Sequence, residues 1–141
     1  MTVFSFPYRE ERSRAGRPIF RPSVTVELQD ADGRWHPFRL YADAGADITL
    51  LREADCRTLG YELEAGEEQF MGGIGPGLIR TFVHQVRVRL GTVELCCRVS
   101  FATEISVPRL LGREGVFDHF RVCYDDIRRI TDFILGNDPG L

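Results

Sequence analysis

Leu40-Tyr41-Ala42-Asp43-Ala44-Gly45-Ala46-Asp47-Ile48-Thr49-Leu50-Leu51 is the stretch on which the fold turns. An apolar strand candidate runs into an acid, three small residues follow, and a second apolar run begins. A glycine between small residues places the acid at a sharp turn, where the missing side chain lets backbone or a ligand come close. Asp43 then projects from the turn into a crevice. An Asp-x-Gly triplet alone is usually an ordinary turn, so the flanking segments decide what this one is.

Upstream, Val24, Val26 and Leu28 alternate with polar residues, and Asp30-Ala31-Asp32-Gly33 turns the chain into Trp35–Ala42, which predicts a hairpin ending at Asp43. Downstream, Arg52–Leu59 predicts a short helix with Gly60 as its stop. Residues 61–71 continue as loop and strand. Met71-Gly72-Gly73-Ile74-Gly75-Pro76-Gly77 breaks every regular pattern and predicts a tight reversal at a hairpin tip. Val86, Val88 and Leu90, then Val93, Leu95, Cys97, Val99 and Phe101, alternate on either side of a Gly91-Thr92 turn, a second hairpin. Val107–Leu111 reads as a buried strand, Gly112–His119 as a short helix, and Phe120–Tyr124 and Ile130–Leu135 as closing strands. Many short strands with one or two brief helices predict an all-β barrel or sandwich.

With 141 residues, 43% of them hydrophobic, one domain with a real core is expected. Residues 1–22 are rich in Arg and Pro and predict an extended arm, residues 23–136 the domain, and residues 137–141 a tail. Eighteen basic against twenty-one acidic residues give a net charge of −3, so no global field draws the chain to nucleic acid or an anionic membrane. No apolar run reaches the ~20 residues of a membrane span, and the expected address is cytoplasmic. Cys56, Cys96, Cys97 and Cys123 have neither the spacing of a zinc site nor that of a disulfide framework, so reduced, mostly buried thiols and no metal are expected. His36, His84 and His119 are scattered, and no Ser or Cys sits in a nucleophile-elbow context. The glycine-rich segment lacks the Lys-Ser/Thr ending of a phosphate-binding loop.

Three segments in order resemble the retropepsin-like aspartic peptidases. The family's apolar-Asp-Thr/Ser-Gly-Ala turn is similar to Asp43-Ala44-Gly45-Ala46, its flap to Gly72–Gly77, and its apolar-apolar-Gly-Arg segment to Leu110-Leu111-Gly112-Arg113. Arg21-Pro22-Ser23-Val24 looks like the family's opening strand. The resemblance implies a closed acid-protease β-barrel, the single-domain protomer of a two-fold homodimer. Asp43 is its one catalytic carboxylate, because the other Asp-x-Gly (Asp138-Pro139-Gly140) has no strand after it; the dyad is therefore Asp43 and its symmetry copy. Ala44, Gly45 and Ala46 support the loop, while Gly72, Gly73, Ile74 and Gly75 with Asp47 face an extended polypeptide substrate. By the same resemblance Asp47 pairs with Arg113 in its own chain, as a buried bidentate pair, and with Arg21 of the other. No cofactor is implied. One departure stands out: Ala44 replaces the family's Thr or Ser, whose hydroxyl bonds across the dimer, and each lost bond removes about 0.5–1.5 kcal/mol. The alternative this raises is a weak or inactive dimeric module that keeps the cleft for peptide binding or as a structural interface.

Overall fold

The computed structural model describes residues 2–72 and 76–135. Strand β4 (Ser23–Gln29) buries Val24, Val26 and Leu28, and β5 (Trp35–Ala42) answers with Phe38, Leu40 and Ala42. Their antiparallel register pairs Ser23 with Tyr41 and Gln29 with Trp35. The turn between them forms because the Asp30 carboxylate accepts the N–H groups of Asp32 and Arg34, and Gly33 takes φ +88°.

After the Asp43 turn come β6 (Thr49–Arg52) and α1 (Glu53–Thr58), which Gly60 follows at φ +76°. β7 (Glu67–Met71) and β8 (Ile79–Leu90) form the hairpin stem below the glycine-rich segment; Gly73, Ile74 and Gly75 lie outside the described residues. β8 continues through Gly91, at φ +60°, into β9 (Val93–Ala102), with Val86 opposite Cys97 and Leu90 opposite Val93. The short β10 (Leu110–Leu111) lies between β5, to which it is parallel, and β6, to which it is antiparallel. The hydrogen-bonded order β4-β5-β10-β6-β9-β8 closes on itself where β8 meets β4 at Glu27–Arg89 and Leu28–Val88, with β7 attached to β8. A ring of strands has no free edges, and its interior holds the main core, including Leu28, Leu40, Leu51, Val99 and Phe101.

Two expectations are corrected. Gly112–His119 is not a helix but a run of turns ending in a 3-10 turn at Phe117–His119. Gly115 stands at φ +78° and Val116 at φ −126°, both outside the helical region. The buried segment from Val107 is in a strand only at Leu110 and Leu111, in part because Pro108 has no N–H to give a ladder. The segment expected as an extended arm is extended but engaged with its own chain. β1 (Val3–Pro7) pairs with β12 (Ile130–Leu135), which also pairs with β11 (Phe120–Asp125). Phe4 and Phe6 face inward there, Phe4 edge-on to Phe120 and Phe6 to Phe133. β2 (Arg9–Arg12) and β3 (Pro18–Arg21) make a separate hairpin. The tail from residue 136 on lies outside the described residues.

Candidate active site

β5 delivers Asp43 to the mouth of the ring, and the loop that follows is fastened from the β10 side. Asp43 N–H donates to the Leu111 carbonyl at 3.1 Å, Arg113 N–H to Ala46 at 2.9 Å, and Glu114 N–H to Asp47 at 2.8 Å. Beneath them the buried Gly112 N–H donates to the Thr49 hydroxyl at 3.0 Å. A side chain at Gly112 would collide with the Ile48 backbone carbonyl, so only glycine lets these two segments close. Inside the loop, Gly45 N–H donates to one Asp43 carboxylate oxygen at 2.8 Å; the other oxygen has no partner among the described residues.

The carboxylate is half-buried and opens onto a groove of about 370 Å³. Asp43, Asp47, Leu50 and Leu110 line it together with Met71 and Gly72 at the end of β7. Its floor is apolar, because Leu50, Ala102 and Val107 make a second small core with Met71, Ile79 and Leu110 packed on it. The groove offers the carboxylates of Asp43 and Asp47 and an apolar bed, with the end of the β7–β8 stem on its wall. Among the described residues no group of His, Cys, Asp and Glu is placed to hold a metal ion, and no helix is long and apolar enough to cross a membrane.

Asp47 and Arg113 meet as expected, at 2.8 Å, but not as a buried bidentate pair: the contact is single, and the two side chains are 86% and 58% exposed. Arg21 lies 3.5 Å from Glu11 of its own chain, against the Tyr41 ring. Ala44 is exposed, as is Gly72. A bidentate pair with a buried carboxylate is elsewhere: Arg109 grips Asp55 through Nε at 2.9 Å and its terminal nitrogen at 3.1 Å, and Asp55 also accepts Arg52 N–H at the start of α1. Sequence reasoning missed it, although an acid three residues after the start of a helix is a capping signal. It also missed Tyr124. This residue on β11 donates its hydroxyl to the Ala42 carbonyl at 2.8 Å, directly before Asp43. Burial pushes the Tyr124 phenol up, the Ala44 amide opposes this, and the nearby Asp43 charge adds to it. A protonated hydroxyl thus braces the loop where the expected Thr or Ser hydroxyl is absent.

No family profile and no curated protein matches the chain. Among solved structures, a retropepsin-like aspartic protease from Rickettsia conorii aligns with a TM-score of 0.62 over 94% of this chain and 91% of that one, at 16% identity. The chain has the retropepsin-like fold. EIAV protease, in complex with the inhibitor HBY-793, aligns with a TM-score of 0.48 over 66% of this chain and 82% of that one, at 27% identity. In this retropepsin-like chain the Asp43 turn, the β7–β8 stem and Leu110–Arg113 come together around one groove, so the resemblance read from those three segments is borne out for the fold.

Proposed function

We propose that two copies of this chain form an aspartic endopeptidase in which Asp43 and its symmetry copy activate one water for attack on a peptide carbonyl. The observation that carries the reading is the placement of the Asp43 carboxylate. It stands on a loop locked by backbone hydrogen bonds, one oxygen held by Gly45, and it lines a groove together with Met71 and Gly72. Abstracting a proton from the water and donating one to the carbonyl oxygen in the same step takes two groups, and Asp43 is the one catalytic candidate in this groove, so in this reading a second copy supplies the other. Two carboxylates about 3 Å apart share one proton: one deprotonates the water while the other protonates the carbonyl oxygen.

In that assembly the exposed Asp47–Arg113 pair is free to take a further cation, and Arg21 of the partner chain is the expected one. An extended substrate lies on the Leu50–Leu110 bed beneath hairpins from both copies, with Gly73, Ile74 and Gly75 as the tip and Asp47 beside the substrate backbone. No cofactor or metal enters the mechanism. A second reading, a weak or inactive peptide-binding module, is favoured by Ala44, which has no hydroxyl to bond across the dimer.

The test is a diverse peptide mixture incubated with the protein from pH 4 to 7 and read by mass spectrometry. The proposed enzyme cleaves it, and Asp43→Asn abolishes the cleavage. Cleavage that survives the substitution overturns the mechanism; binding without cleavage selects the second reading.

A further inference from the structure

We propose that an arginine-lined groove continuous with the Asp43 groove receives acidic side chains of the polypeptide, an inference that rests on the peptidase reading and specifies its substrate. The continuity follows from strand geometry. Leu110 lies beside Tyr41 on β5 and Leu50 on β6. Two residues further along each segment, away from the Asp43 turn, stand Arg39, Pro108 and Arg52. Side chains two apart on a strand share a face, so Arg39 on β5 and Arg52 on β6 extend the face that carries Asp43, Leu50 and Leu110. They line a second groove of about 350 Å³, with Arg9, Tyr41 and Arg109 also on its walls. At ~3.3 Å per residue, Arg39 stands about 13 Å along β5 from Asp43, the span of about four residues of an extended peptide.

The charges in this groove do not balance. Arg109 is neutralised by Asp55, and Glu11 is occupied by the Tyr41 hydroxyl and Arg21. Arg52 gives its Nε to the Val107 carbonyl and forms no ion pair among the described residues. Arg9 and Arg39 form neither an ion pair nor a side-chain hydrogen bond among the described residues. Three uncompensated guanidinium groups therefore surround one groove in a chain whose net charge is −3. Their mutual repulsion is relieved by a carboxylate, which guanidinium binds through paired N–H donors. A two-fold dimer would carry one such groove in each half, so acidic residues are favoured within about four positions of the scissile bond on both sides.

The experiment compares matched peptides carrying Glu or Gln at these flanking positions, using the wild-type protein and an Arg9→Glu, Arg39→Glu variant. Both arginines are exposed and outside the Asp43 loop, so the fold should survive, which a melting curve checks. At low salt the wild type should cleave the Glu peptide at least about fivefold more efficiently in kcat/KM, less so as salt rises. The variant should reverse that preference, read as the ratio of kcat/KM for the Glu peptide to that for the Gln peptide. Cleavage without a preference for Glu, or a preference that persists in the variant, overturns the groove and leaves the peptidase reading intact. If the wild type cleaves neither peptide, the peptidase reading is what fails. The groove is then judged by fluorescence anisotropy of the same labelled peptides on Asp43→Asn protein: tighter binding of the Glu peptide, lost with Arg39→Glu, supports it, and equal binding overturns it.

Discussion

Two Arg–Asp pairs stand at opposite ends of the same short β10 region, and they are built for different work. Asp55–Arg109 is bidentate, its carboxylate is 7% exposed, and it also caps α1 through the Arg52 N–H. Asp47–Arg113 is a single contact between two largely exposed side chains. A buried carboxylate that loses its partners costs several kcal/mol, whereas an exposed pair is worth well under one. The first pair therefore holds the protomer together. The second contributes little to the protomer and retains unused hydrogen-bonding capacity beside the Asp43 groove, which suits a surface completed by another chain.

That contrast can be broken most severely at Asp55. Asp55→Ala removes both arms of the Arg109 bond and the Arg52 cap, and, with the half-exposed Arg109 free to rehydrate, should lower protomer stability by about 2 kcal/mol in urea unfolding. A loss below about 1 kcal/mol would place the two pairs in one class. Cys56, the next residue of α1, reports on the same region. Burial pushes its thiol up to about 11, so at neutral pH its thiolate population is roughly a hundredfold below that of an ordinary thiol. Labelling by a maleimide should therefore reach the exposed Cys96 first and Cys56 well after it, with Cys97, whose thiol burial pushes up to about 12, slowest, and in Asp55→Ala the Cys56 lag should shrink. The sign for stability follows from the same shift: because the folded form favours the neutral thiol, this contribution is complete below about pH 9 and is lost as pH rises towards 11.

A smaller effect is expected at Tyr124. Tyr124→Phe deletes the bond to the Ala42 carbonyl and should cost about 1 kcal/mol in stability. In the proposed enzyme it should lower kcat more than it raises KM, because it disturbs the alignment of Asp43 and leaves the substrate bed in place. The smallest change in protomer stability belongs to Asp47→Ala, within about 0.5 kcal/mol. Its effect should appear instead in the dimer dissociation constant, measured by analytical ultracentrifugation. A large loss of protomer stability with unchanged association would contradict the division of labour between the two pairs.

The strands were legible where one face is buried and the other wet. Val24-Val26-Leu28 and Leu95-Cys97-Val99 carry the period of two in plain sight, and the turns at Gly33, Gly60 and Gly91 were marked by the residue that positive φ favours. Legibility ended where partners distant in sequence set the structure. Phe4 and Phe6 make a strand only because β12 lies beside them, 125 or more residues away in the chain by register, as in Phe4–Phe133 and Phe6–Thr131. Gly112–His119 has helical length, yet the close approach of Gly112 to Ile48 and the positive φ at Gly115 divert it into turns. At the candidate site, the Asp-x-Gly turn and the glycine-rich segment announced themselves through local chemistry. Arg109–Asp55 and Tyr124–Ala42 did not, because each joins residues more than fifty positions apart and no local pattern encodes the meeting.

Subunit mixing tests the proposed dyad most directly. Wild-type protein is equilibrated with increasing mole fractions of Asp43→Asn protein at constant total concentration, and peptide cleavage is measured at each ratio. If every site needs one Asp43 from each of two chains, activity falls as the square of the wild-type fraction, to about a quarter at equal mixture. A linear fall, with half the activity left at equal mixture, would mean that each chain works alone and would contradict the account.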